Sequence, residues 1–348
     1  MSKIIDLIDK LAKSHSLELE EYEYLIANRT EEAAKYLEKK AVEKRKEIYG
    51  NSIYIRGLIE ISNICKNDCF YCGIRNGNKN CDRYRISKEE ILECCNSGYK
   101  LGFRTFVLQS GEDLFLTDEF MCEVIRSIKK EHQDCAVTLS LGERSKESYK
   151  KLYEAGADRY LLRHETANKE HYSKLHPKEM SFDNRMKCLY NLKKIGYQVG
   201  CGFMVGSPYQ TNSTLSEDLK FIEEFKPDMC GIGPFVPHKA TPFADESGGT
   251  VELTCYLLSI IRLIHPLVLL PATTALGTID LNGREKGIMA GANVVMPNLS
   301  PMSVRKKYEL YNNKICTGDE SAQNKEKLEE RMRKIGYEIV IDRGDIKK

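Results

Sequence analysis

From residue 53 onward the chain alternates short β-rich runs with longer polar, helix-compatible segments, and this alternation limits the fold more than any other feature. The runs cover residues 53–62, 105–109, 136–141, 159–164, 198–205, 229–235, 268–273 and 292–297. Buried strands separated by helices pair in parallel through right-handed crossovers. Eight such units predict an α/β fold of the closed (β/α)8 type, with an open doubly wound sheet as the alternative. Gly102, Gly156, Gly196 and Gly291 stand where intervening helices should stop, since glycine tolerates the left-handed backbone of a helix end.

A barrel carries its chemistry where the strands end. The run ends are indeed polar and unusual: Gln109-Ser110-Gly111-Glu112-Asp113, Ser140-Leu141-Gly142-Glu143, Arg163-His164-Glu165-Thr166, Met204-Val205-Gly206-Ser207, Pro234 to His238, Thr273-Thr274 and Met296-Pro297-Asn298. Arg159, Thr138, Thr273, Thr274, Met296 and Tyr308 are expected to line the barrel interior or its mouth. Buried arginine there needs a carboxylate or an anionic ligand. His164 and His238 are the histidines expected at the rim; His132, His171, His176 and His265 are expected to be solvated.

After the first run come Cys65, Cys69 and Cys72, spaced by three and then two residues. Thiols this close converge on one metal centre. A structural zinc needs a fourth ligand, which Cys81 could supply. The spacing also marks one helix face, where three buried thiols would merely pack, but Asn67, Asp68 and Gly73 oppose a helix. A four-iron cluster on three thiolates leaves one iron open to a small ligand. The remaining cysteines, among them Cys94, Cys95, Cys122, Cys188 and Cys255, are expected to be free and buried.

Composition narrows the classes. A formal net charge of +2 provides no field for nucleic acid or a membrane surface. The most apolar stretch, 257–276, is interrupted by Arg262, His265 and Pro266 and does not read as a membrane span. Thirteen cysteines without a secretory signal point to a reducing cytoplasm. Residues 1–50 read as a helical extension, with a helix start at Asn28-Arg29-Thr30 running through Lys40, covering one end of the barrel. The barrel is placed at 51–300. A C-terminal helical segment at 301–348 closes it, with a final helix over 326–334 and a short polar tail from Ile339.

The C-x3-C-x2-C motif, with Tyr71 before its last cysteine, resembles the signature of radical S-adenosylmethionine (SAM) enzymes. That resemblance implies one 4Fe-4S cluster on Cys65, Cys69 and Cys72, with SAM chelated at the open iron and cleaved to a 5'-deoxyadenosyl radical. It implies Tyr71, Gln109, Ser110, Gly111, Glu112, Ser140, Glu165, Arg185 and Met204 around SAM, Arg185 pairing with the SAM carboxylate. Longer blocks, LQSGED, TLSLGE, AGADRYLLRHETAN, GIGPFVPH, PATTALGTI and GANVVMPN, resemble the HydE family of FeFe-hydrogenase maturases. The family implies action at the sulfur of a cysteine-bound Fe(CO)2CN unit, partner maturases HydG and HydF, and an external electron donor. It also implies Thr138, Arg159, Arg163, Thr273, Thr274, Met296 and Tyr308 around the substrate. Some family members hold a second cluster near the C-terminus. This chain keeps Cys316 but has no later cysteine, so no second cluster is expected. Tyr209 stands where Pro-Gly-Gln-Thr is commoner. The alternatives are a methylornithine synthase-like mutase acting on lysine, and a non-catalytic iron-unit carrier. Biotin synthase chemistry would need cysteines at the barrel strands, and Cys201 and Cys135 do not supply them.

Overall fold

The computed structural model describes residues 3–316 and 321–347; Met1, Ser2, residues 317–320 and Lys348, all within the expected terminal segments, lie outside the described residues. Three helices open the chain: α1 (Lys3–Ser14), α2 (Leu19–Ala27) and α3 (Glu31–Tyr49). α3 begins where the sequence predicts, the Thr30 hydroxyl accepting the Ala33 N–H at 3.2 Å. α2 packs on the helix Asn212–Phe225 and α3 on the helix Val251–Ile264, along the flank, while the end of α3 reaches the barrel floor, where Tyr49 clusters with Tyr54, Met229, Leu269 and Val294.

The strands are β1 in two pieces (Ser52–Ile55 and Gly57–Ser62), β2 (Thr105–Ser110), β3 (Ala136–Ser140), β4 (Arg159–Leu161), β5 in two pieces (Gln198–Cys201 and Met204–Val205), β6 in two pieces (Met229–Cys230 and Gly233–Pro234), β7 at residues 269–271 and β8 (Val294–Val295). Every neighbouring pair is parallel from β1 to β6. Single bridges Met229 to Leu269 and Pro271 to Val294 carry the ring through β7. β8 then pairs with Tyr54 and Ile55, and Asn298 bridges Leu58, which closes the barrel. The alternating run pattern therefore resolves as the closed form. Helices between strands start on Ser or Thr caps such as Ser87, Thr117, Ser145, Ser181, Thr211 and Thr250. The four predicted glycine stops all have positive φ.

Two departures concern the C-terminal end. The last helix spans Lys325–Lys334 as expected, but the polar tail forms a ninth strand, β9 (Glu338–Val340). β1 provides the reason. Its first piece faces β8 on one side, while only its second piece pairs with β2, which leaves an open edge at Ser52–Tyr54 that β9 fills. Residues 342–347 then cross the barrel floor, and Asp345 meets Arg159 there at 2.6 Å.

Candidate active site

The cysteine loop leaves β1 as a series of turns with no helix. Arg83 holds it, donating to the carbonyls of Asn63 (2.6 Å), Ile74 (2.8 Å), Arg75 (2.7 Å) and Asn78 (3.1 Å). Asp68 accepts from Arg75 at 2.5 Å and from the Gly77 N–H at 2.7 Å. A single guanidinium thus satisfies four carbonyls that an irregular loop would otherwise leave bare.

Cys65, Cys69 and Cys72 all open onto one cavity of about 360 Å³, which fills the upper barrel. Burial pushes all three thiols up, Cys72 to about 12. They become thiolates only if positive charge arrives with the ligand they bind. The Glu112 N–H already points at Cys65 Sγ, 3.3 Å away. Among the described residues no three His, Cys, Asp or Glu side chains converge as one ion needs. Three half-buried cysteines on the wall of one cavity fit the three thiolate ligands of a four-iron cubane. Cys81 is not on the cavity wall; its sulfur receives Asn63 Nδ2 at 3.5 Å.

β2 and β3 bring the next wall. A Cβ at Gly111 would lie 2.4 Å from Ile64 O and 2.7 Å from Cys65 Cβ, so only glycine lets this strand end approach the cysteine loop. Gly142 (φ 74°) does the same for Glu112, whose Cγ would sit 2.1 Å from an added Cβ. Glu112 accepts the Glu143 N–H at 2.9 Å and pairs with Lys66 at 3.2 Å. Opposite, Arg185 donates from Nε to Glu143 at 2.5 Å and from Nη1 to the Arg163 carbonyl at 2.7 Å. Glu143, absent from the expected set, is therefore the carboxylate that Arg185 meets. Glu165 has φ 66°, and its Oε2 lies 3.2 Å from Arg163 Nη2 without hydrogen-bond geometry.

Gln109, Ser110, Ser140, Met204, Thr138, Arg163, Thr273, Thr274, Met296, Tyr308 and Tyr71 share the cavity with these residues. Arg159 does not. It opens β4 at the opposite end of the barrel, wholly buried, bonded to Thr105, Gln198 and Asp345, so the tail carboxylate is the anion it needed. Three cavity-wall residues escaped the sequence reading. Arg56 and Glu60 lie inside β1 and its break, charged positions in an apolar run, which was the available signal. Lys314, from a loop with no signal, reaches Glu60 at 2.5 Å. His176 stands behind the wall: far from solvated, it is buried against Tyr71, and His171 and His132 are buried too. His164 is buried behind the wall, while His238 packs against Gly73 and lies 3.7 Å from Glu309. Cys201 sits in register with Cys230 and neither faces the cavity.

A parallel barrel with three cysteines on its first loop and a polar ring over them defines a radical SAM enzyme, and a model of the radical SAM superfamily matches residues 59–222. The FeFe hydrogenase maturase subunit HydE of Thermotoga maritima is 49% identical over 278 residues, 80% of this chain and 79% of that one. The 3-methylornithine synthase of Methanosarcina acetivorans is 30% identical over 291 residues, 82% and 81% of the two chains. The crystal structure of methylornithine synthase (PylB) superposes with a TM-score of 0.82 at 25% identity, covering 96% of this chain and 97% of that one. This chain belongs to the HydE family. No helix among the described residues is long and apolar enough to cross a membrane.

Proposed function

We propose that the chain is a hydrogenase maturase that uses one 4Fe-4S cluster and SAM to convert a cysteine-bound Fe(CO)2CN unit during assembly of the di-iron subcluster. The carrying observation is the 49% identity to the Thermotoga maritima HydE across four fifths of the chain. Cys65, Cys69 and Cys72 would hold the cluster. When bound, the cluster and SAM supply a 5'-deoxyadenosyl radical generated by one-electron reduction. The protein contributes binding, aim and exclusion of water.

Tyr71, Gln109 to Glu112, Ser140, Glu165, Arg185 and Met204 would surround SAM on the β2–β5 side. Thr138, Arg163, Thr273, Thr274, Met296 and Tyr308 would face the substrate, with Glu60 and Lys314 added from the structure. The cover over that half is built in. Gln109 donates to the Tyr308 hydroxyl at 3.3 Å, and the segment carrying Tyr308 and Leu310 is tied to the cysteine loop by Gly73 N–H to Leu310 O at 2.8 Å. Arg159 is left out of the substrate set because the floor carboxylate already occupies it. The partners would be HydG upstream, HydF downstream and an external electron donor, in the cytoplasm.

The mutase reading has its own support in the full-length superposition on methylornithine synthase. The deciding experiment is in vitro hydrogenase maturation with this protein added or omitted, run beside a lysine assay. Hydrogenase activity that depends on the protein, and on Cys69, supports the maturase. Indifference of the hydrogenase with conversion of lysine to methylornithine overturns it. Failure to release 5'-deoxyadenosine from SAM would instead favour the carrier.

A further inference from the structure

Behind the cavity wall, His164 and Asp218 form a pair with both side chains fully buried. His164 Nε2 lies 3.3 Å from Asp218 Oδ1, close but without hydrogen-bond geometry. Nδ1 of the same ring accepts the Gly202 N–H at 3.2 Å, so the proton of the neutral imidazole sits on Nε2, facing the carboxylate. Asp218 Oδ1 also accepts the Ala167 N–H at 2.5 Å. Its neighbour Glu217 receives Asn168 Nδ2 at 2.9 and 3.1 Å. Both carboxylates belong to the helix Asn212–Phe225. One helix therefore grips two consecutive residues just beyond Glu165.

The gripped turn is strained. Glu165 is a non-glycine residue at φ 66°, a conformation that costs on the order of 1 kcal/mol and persists only where its surroundings impose it. Gly202 ties both sides of the turn, giving its N–H to His164 and taking the Glu165 N–H on its carbonyl at 3.0 Å. The strain has a product: the Glu165 carboxylate stands on the cavity wall with Oε2 free of any hydrogen bond. Asp218 is an expensive way to build a turn, since its Oδ2 is buried without a partner.

We propose that Asp218 is a positioning residue for the cofactor site: with His164 and Glu217 it fixes the left-handed turn at Glu165 and so aims the Glu165 carboxylate at a hydroxyl or ammonium donor of bound SAM. This rests on the reading of Glu165 as a SAM contact. Asp218 itself touches nothing in the cavity.

The test is a double-mutant cycle on the cluster-loaded protein, read as the SAM dissociation constant by equilibrium dialysis, with iron content as the control. Glu165→Gln and Asp218→Ala should each weaken SAM by roughly tenfold, and the double variant should be no weaker than Glu165→Gln alone. Asp218→Asn, which can still accept the Ala167 N–H, should stay within about threefold of the parent. In the cluster-free protein the Ala167 amide should exchange faster in Asp218→Ala than in Asp218→Asn. Full additivity in the double variant, or unchanged SAM binding in Asp218→Ala, overturns the proposal. Unchanged binding in Glu165→Gln removes the cofactor role of Glu165, a separate failure that takes the proposal with it. If Asp218→Ala does not fold, Glu217→Ala takes its place in the cycle, with a loss of about threefold expected and again no added loss on Glu165→Gln.

Discussion

Tyr71 directs its hydroxyl at His176 Nε2, 3.1 Å away. Nδ1 of His176 lies 2.9 Å from the Tyr172 carbonyl, which can only accept, so Nδ1 carries the proton and Nε2 receives the phenol. Burial holds this imidazole neutral, its pKa pushed down to about 3. Tyr172 stacks on the ring at 4.0 Å between centroids. The aromatic residue inside the cysteine motif is thus oriented by a histidine more than a hundred positions later in the chain.

His176→Phe keeps the stack and strands the Tyr71 hydroxyl. Leaving a buried donor unpaired costs about 1–3 kcal/mol, so the variant should lose that much stability to urea. Its cluster iron content should be unchanged, while SAM should bind several-fold more weakly. Wild-type stability and affinity would show that the phenol finds another partner.

Tyr209 occupies a left-handed backbone position (φ 64°) with 56% of its surface exposed. Its contacts are a distant edge-on approach to Phe243 at 6.2 Å and Lys174 over the ring at 5.7 Å. Little packing offsets the strain, which explains why glycine suits this loop. Tyr209→Gly should stabilise the protein by a few tenths to about 1 kcal/mol, glycine's greater unfolded-state entropy cancelling part of the relief. Tyr209→Val should be worse than the parent. Urea midpoints at constant m-value decide it.

The strand runs, the helix caps and the glycine stops were legible because each is a local rule. The cavity wall was legible because strand ends are where a parallel barrel opens. What escaped was long-range. Arg159 looked like a barrel-mouth cation until the tail brought Asp345 beneath it, and nothing near Asp345 marks it as a partner for a residue in β4. Lys314 meeting Glu60, and Arg185 meeting Glu143, are pairings of the same kind. The histidines were misjudged because periodicity places a residue on an element but says nothing of what a neighbouring helix lays over it. His171 lies on a short helix, Lys169–Leu175, and His176 just after it, and the cysteine loop covers both through Phe70 N–H to Leu175 O at 3.0 Å.

His265 gives the cluster-free protein a pH signature far from the site. Burial and the nearby Arg262, Lys193, Lys226 and His15 push its pKa down to about 4. The folded ring refuses a proton that the unfolded chain takes up near pH 6.5. Its contribution is therefore complete above that pH and is lost on acidification between about 6.5 and 4. The expected slope is at most about 1.4 kcal/mol per pH unit. His265→Gln should flatten the stability profile over that window and leave it unchanged above pH 7.

Cys316 is buried, its thiol pushed up by desolvation, with Lys314 and Glu60 nearby. One cysteine cannot anchor a second cluster. Reconstituted protein should hold about four irons per chain, one cluster with one thiolate ligand for each of three irons. Cys316→Ala should hold the same number, and Cys69→Ala far fewer. About eight irons in the parent, falling by half in Cys316→Ala, would mean that a second centre exists.

The floor of the barrel separates structure from chemistry. Arg159 is fully buried, and its carboxylate partner Asp345 is about 39% exposed in the tail. Arg159 and Arg343 hold the Asp345 carboxyl well below the usual carboxylate range, although burial opposes them. A carboxyl lowered on folding stabilises the fold above its unfolded pKa, and that stability is lost as pH falls below about 4. Asp345→Asn leaves a buried guanidinium without its counter-charge. Discounted for the exposed half of the pair, the cost should be about 2 kcal/mol at pH 7, beginning to shrink only as pH falls below about 4. Because the pair lies below the cavity, SAM affinity and cluster content should be unchanged. Loss of SAM binding in a folded Asp345→Asn protein would return Arg159 to the active site.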